Sequence, residues 1–406
     1  MEHVLPTYIK PFESIKEPRI DVDIWQSAID TFDNADYKES LINLLKYINA
    51  SVLEGVDTAK DIIFTKMQGS AEISVAITNE RLKIEAPFLR VTDETNMVAL
   101  LRRVTEINFD LLDLAQIVLE DDILIFRYET SLTTCQPSKI YTVLRNISFR
   151  ADDYDDIFVE EYGAEFYKEP ARENLSANEK QETLRQIREI LKNIDDYSDF
   201  FVEDRQANYR WDIIVISLLR LSNMPYMQGK LRSELINNVE RMYDGDVDFS
   251  QRINKGLLYI KELQAYSDEY YEKSLYHVEQ FISLRWRSTP QIIEERMENH
   301  KETIESMNES DDHMAASYFL YAIFLKLIYN YNLDENYKNE IERVLKEVSE
   351  KNTKEAAPIL LELYWDMYNV EVESKEEEEK KSSVTTWLSN AIWISVAGYL
   401  AYNYLG

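Results

Sequence analysis

The sequence predicts an α+β protein: an N-terminal antiparallel sheet with flanking helices, then an all-α helical domain and a C-terminal hydrophobic helix. Three observations predict it. Residues 71–164 hold two stretches of strict alternation separated by a helical stripe. From about residue 178 the two-residue period vanishes and helical periods follow one another. The last 23 residues, Val384–Gly406, carry no charged side chain.

The elements follow in order. Residues 1–35 are expected to be irregular, with Pro6, Pro11 and Pro18 punctuating the start. A helix over 36–50 is predicted by Leu41, Leu44, Leu45 and Ile48, which share one stripe. The first hairpin alternates through Ile73, Val75 and Ile77, turns at Asn79–Glu80, and returns through Leu82, Ile84, Ala86 and Phe88. Pro87 suits a strand end or an edge. Next comes a helix near 96–105 with Val98, Leu101 and Val104 in register. A second hairpin over 114–130 pairs Ile117 and Leu119 with Leu124, Phe126 and Tyr128 across a turn at Asp121–Asp122. Pro137 opens a third helix whose stripe is Ile140, Val143, Leu144 and Ile147, and which can continue, with or without a break, through Tyr154 and Phe158.

Helical patterns then run near 177–193, 208–222, 230–243, 253–266, 268–287, 290–308, 312–331, 335–350 and 354–369. The most apolar, 314–331, is interrupted by Lys326 and reads as a buried core helix. Residues 36–48 and 270–282 look alike, in the manner of a helical repeat, but no sustained period follows. The expected units are therefore an irregular segment (1–35), an α+β domain (36–170), a helical domain (171–370), an acidic linker (371–383) and the tail (384–406).

The tail matches the length needed to cross a bilayer, with aromatic residues near both ends and Lys380 and Lys381 just before it. Trp387, Ile392, Trp393, Ile394, Val396 and Leu400 are its candidate anchor residues. Polar residues such as Ser389 and Asn390 leave a second reading, a helix packed on protein.

Bulk composition bounds the function. At 406 residues, 45% apolar, the chain can bury two ordinary cores. Acidic residues outnumber basic ones 75 to 45, a net charge of −30, which argues against binding a nucleic-acid backbone. One cysteine, Cys135, excludes an intrachain disulfide, and the first residues show no basic stretch before an apolar core. Cytoplasmic location is the expectation, with the tail holding the chain to the cytoplasmic face of a membrane.

No catalytic, cofactor or metal constellation emerges. His3, His277, His300 and His313 form no zinc-ligand spacing; Glu309 and His313 read as a polar helix cap. The run Asp152–Asp156 lacks the glycine and terminal glutamate of a calcium loop, and reads as a helix burying Tyr154 and Phe158 with its acids outward. Cys135 reads as small buried filler. Glu294, Glu295 and Glu298 read as a solvated helix face, although a carboxylate site there is the form an enzyme would take. With eight glycines, phosphate-cradling loops are not expected.

The stretches IEAPFLRV (84–91), NMVALLRRVTEINFDLLDLAQIVLEDDILIFRYETSL (96–132) and CQPSKIYTVLRNISFRADDYDDIFVEEYGA (135–164) resemble the YbjN family, which is similar to the type III secretion chaperone fold. The resemblance covers about residues 36–165. It implies a twisted antiparallel sheet flanked by helices, non-enzymatic binding of a protein client along apolar patches, and a homodimer. Candidate binding residues are Phe88, Ile117 and Phe126, if the helices leave their face open. An adaptor or chaperone is the leading expectation. The alternative is a structural subunit of an envelope or secretion-related assembly, with the tail between partner helices; a stress-response regulator and a cryptic enzyme rank lower.

Overall fold

In the computed structural model, residues 4–10, 20, 24–78, 80–110, 112, 114–169, 172–203, 207–224, 226–288 and 290–379 are described. The expected tail and its anchor residues lie outside them, as do Asn79 and most of the first twenty residues.

The N-terminal half is mixed. Helices α1 (Ile24–Asp33) and α2 (Tyr37–Ile48) precede three strands, β1 (Ile62–Gln68), β2 (Ala71–Ile77) and β3 (Arg81–Arg90). Then come α3 (Met97–Asp110), β4 (Gln116–Glu120), β5 (Ile123–Ser131) and the long α4 (Pro137–Tyr162), with β6 at Glu165–Phe166. The strands form one antiparallel sheet in the order β1-β2-β3-β5-β4, β6 pairing with the end of β3. Strand β1, which the sequence reading omits, extends the first hairpin to three strands. Pro87 lies neither at an edge nor at a strand end. It sits in the central β3, where the register with β5 shifts between Pro87 and Leu89, and this bulge accommodates the missing N–H.

One face of the sheet carries the predicted alternation. Ile73, Val75, Ile77, Leu82, Ile84, Phe88, Leu124 and Phe126 are buried together with Leu41, Leu44 and Leu45 of α2 and Ile140, Leu144 and Phe158 of α4. The opposite face is largely polar, with Ile63 of β1 exposed on it. Arg127 pairs with Glu85 at 2.7 Å and with Glu120 at 2.7 Å, and Arg81 pairs with Glu129 at 2.7 Å.

The C-terminal half is predominantly helical: α5 (Ala177–Glu203), α6 (Ala207–Ser222), α7 (Gly229–Met242), α8 (Phe249–Ala265), the short α9 (Asp268–Glu272), α10 (Pro290–Glu298), α11 (Lys301–Glu309), α12 (His313–Asn330), α13 (Glu335–Val348) and α14 (Thr353–Glu379). Two-residue strands β7 (Glu173–Asn174), β8 (Tyr276–His277), β9 (Trp286–Arg287) and β10 (Tyr331–Asn332) stitch its loops. Helix α12 is buried on nearly every side, as a core helix should be. The predicted helix over 290–308 is broken at Asn299–His300, between α10 and α11.

Two segments cross between the halves. Residues 4–9 precede the sheet in the chain yet belong to the helical core: Leu5 is 1% exposed, and Tyr197, Tyr321 and Tyr329 donate hydroxyl bonds to the carbonyls of Val4, Pro6 and Ile9. The predicted irregular segment 1–35 thus ends in α1, and its start is fastened to the other half. Residues 276–288 are not the predicted helix. They run as an extended strap, with Phe281 and Ile282 inserted into the core of the sheet half. Gln68 accepts the N–H of Ile282 at 2.9 Å, and Gly69 donates to the carbonyl of Glu279 at 2.9 Å. Arg145 of α4 donates to the carbonyls of Ser283 and Arg285, each at 2.7 Å, and of Leu284 at 3.2 Å. Side-chain donors and acceptors replace the helical bonds that this backbone forgoes. The likeness between 36–48 and 270–282 is therefore one of sequence pattern alone.

Candidate protein-docking surface

The residues predicted to face a partner are core. Phe88 and Ile117 are each 4% exposed and Phe126 is fully buried; the rings of Phe88 and Phe126 pack tilted, 4.6 Å apart. α2 and α4 cover their sheet face, and the open face is the charged one.

Exposed apolar residues cluster instead on α3, while Ile63 and Leu258 are exposed elsewhere. Asn96 begins this helix, its side chain accepting the N–H of Ala99 at 3.3 Å. The stripe that packs inward is Leu100, Val104 and Ile107. Of the predicted stripe only Val104 is buried: Val98 is 74% exposed and Leu101 41%. Phe109 is 87% exposed. At about 100° per residue, Val98, Leu101 and Phe109 fall within one quadrant of α3, roughly opposite its buried stripe. The helix is apolar on two faces and only one is covered.

The surface continues past the helix. Asn108 fastens the end of α3 to edge strand β4, donating to the carbonyl of Ile117 at 3.0 Å and accepting its N–H at 2.7 Å. A side-chain amide thus occupies the outward backbone pair that an added strand would use. Leu114 precedes β4 and Leu119 lies two residues beyond Ile117; both are exposed. Covering a side chain as large as Phe109 contributes about 2 kcal/mol, so a partner spanning several of these residues would gain appreciable affinity. The sequence signal was present, since α3 holds two apolar sets at helical spacing, but periodicity does not say which one packs inward.

Cys135 is buried, its thiol donating to the carbonyl of Ser131 at 3.3 Å, and burial pushes its pKa up to about 11. Asp312 caps α12 by accepting the N–H of Ala315 at 3.0 Å, beside the exposed Glu309. Burial, with Lys326 and Arg296 nearby, lowers His300 to about 4. Glu298 accepts the hydroxyl of Tyr368 at 2.6 Å, and Glu295 is exposed. Among the described residues no group of three His, Cys, Asp or Glu is arranged to hold a metal ion. The acidic run departs from its expected outward display: Asp155 is 2% exposed, and Asp152 accepts two bonds from Ser70.

A second unforeseen pair lies in the helical half. Lys326 sits partly buried over the Tyr243 ring at 3.7 Å. Burial and Arg296 lower its ammonium to about 7, with Asp212 opposing. Burial raises Asp212 to about 7, opposed by Lys326. A shallow depression of about 540 Å³ lies elsewhere, beside Lys180, Leu184, Arg185, Arg188 and Asp268, and holds no paired nucleophile and base.

No family model and no curated protein matches the chain. Among the described residues no helix is long and apolar enough to cross a membrane.

Proposed function

We propose that this chain is a non-enzymatic, protein-binding adaptor or chaperone-like protein whose α3–β4 face takes a client protein. The observation that carries the reading is the second apolar stripe of α3, led by Phe109 at 87% exposure, where a monomer would ordinarily place polar side chains. The order β-β-β-α-β-β-α around one filled sheet face supports kinship with the YbjN and type III secretion chaperone folds. The charged, salt-bridged outer face of the sheet argues against docking there.

A photo-crosslinking amino acid at position 109 tests this in the full chain. The expected result is a discrete protein adduct in cells that disappears when Val98→Asp and Leu101→Asp are added. Adducts unchanged by those substitutions would sink the proposal. The uncharged stretch Val384–Gly406 favours a second element, tethering of the adaptor to a membrane at its cytoplasmic face. Truncation after Lys381 should release the protein from the membrane fraction. Full-length protein that is already soluble without detergent refutes the tether.

A further inference from the structure

The seam between the two halves is built around three aspartates on one face of α4. Asp152, Asp155 and Asp156 follow i, i+3, i+4 spacing. The two outer carboxylates are compensated. Asp152 Oδ1 accepts the backbone N–H of Ser70 at 2.7 Å and its hydroxyl at 2.9 Å, at the β1–β2 turn. That turn approaches so closely that a Cβ on Gly69 would lie 1.9 Å from the same oxygen. Asp156 pairs with Arg172 at 2.7 Å. Its other oxygen lies 3.0 Å from where a Cβ on Gly229 would be, at the first residue of α7, where the helix dipole favours an anion.

Asp155 lies between them, 2% exposed, and its carboxylate accepts the N–H of Asp156. Its electrostatic neighbours are Asp152 and Asp156 on α4 and Arg172 and Tyr276 of the helical half, and the Ser70 hydroxyl of the β1–β2 turn and the N–H of Asp156 favour its charged form. Arg172 stacks over the Tyr276 ring at 4.9 Å while holding Asp156. A third negative charge buried here would face two like charges.

We propose that Asp155 holds a proton when the seam is closed, and that losing it loosens α4 from the β1–β2 turn and from the start of α7. The seam is then a pH-responsive joint between the sheet half and the helical half. Burial, then Asp152 and Asp156, push the Asp155 carboxyl well above its ordinary range. A raised value in the folded state means the stabilisation is complete below the ordinary carboxylate range. It is lost as pH rises through the raised value.

The test compares the full-length protein with Asp155→Asn, the isostere of the protonated acid. Hydrogen exchange, corrected for intrinsic rate, is followed from pH 5 to 9 in peptides covering 66–72, 150–160 and 228–234. In the parent, protection of these peptides should fall with rising pH, by up to about tenfold per unit, the limit for one proton. Asp155→Asn should hold its protection across the range. Parallel curves for the two proteins overturn the proposal, as does a parent with no pH dependence in these peptides. Arg172→Gln, which keeps Asp155 but removes a cation that interacts with it, should carry the fall in protection to higher pH; a fall completed at lower pH would also count against the proposal.

Discussion

Replacing Arg145 by Met should uncouple the strap at 276–288 while leaving both cores filled. Arg145 is 2% exposed, and its guanidinium serves three consecutive carbonyls, of Ser283, Leu284 and Arg285. Asn332 also donates to the Arg285 carbonyl at 3.1 Å, so the substitution strands two acceptors, of Ser283 and Leu284. Each buried orphan costs about 1–3 kcal/mol. The guanidinium also lies 4.0 Å over the ring of Trp286, a contact worth about 1 kcal/mol or more when desolvated. Relief from burying an ion returns part of this. The balance is a loss of about 3 kcal/mol. Urea unfolding at pH 7 would read it as a lowered midpoint, and limited proteolysis should cut newly within 276–288. Arg145→Lys should recover little, because a compact ammonium lacks the planar fork whose two nitrogens span the three carbonyls and which stacks on the Trp286 ring. A loss below about 1 kcal/mol with an unchanged cleavage pattern would show that burial of Phe281 and Ile282 suffices to hold the strap.

Other consequences are equally measurable. Lys326→Met should stabilise the protein, because a folded value of about 7 against 10.5 puts the cost of the buried ammonium in full below about pH 7 and relieves it as pH climbs toward 10.5. Offset by the lost Tyr243 contact, worth about 1–2 kcal/mol, the expected gain at pH 6 is on the order of 2 kcal/mol; a gain as large at pH 10 contradicts the cause. Gly69→Ala should cost at least about 2 kcal/mol in chemical denaturation, since φ is +57° and the new methyl meets the Asp152 carboxylate. Phe109→Ser should change the unfolding free energy in urea by no more than the about ±0.5 kcal/mol typical of surface changes; a large loss would mean the ring packs on its own chain.

Alternation located β2, β3 and β5 because a half-buried strand writes its burial into every second residue, as Ile73, Val75 and Ile77 do. Helix α12 was legible because twelve of its residues are buried and little else disturbs its apolarity. The strap was misread. Val278, Phe281 and Ile282 have helical spacing, but the burial of Phe281 and Ile282 is decided by the sheet half rather than by a helix axis. The docking surface was misplaced for a related reason. Phe88, Ile117 and Phe126 are apolar and so is the outer stripe of α3, and composition does not say which set the neighbouring helices cover.

The sequence by itself determined the local periods, and with them the mixed N-terminal half, the helical C-terminal half and the absence of a familiar catalytic motif. Tertiary structure alone decided which apolar faces are spent on the core and which remain outside. It also brought residues 4–9 and 276–288 into halves of the molecule that their positions in the chain do not announce. Periodicity is a property of neighbours along the chain. Burial is a property of what arrives from far away, as when Arg145 finds three carbonyls about 140 residues later.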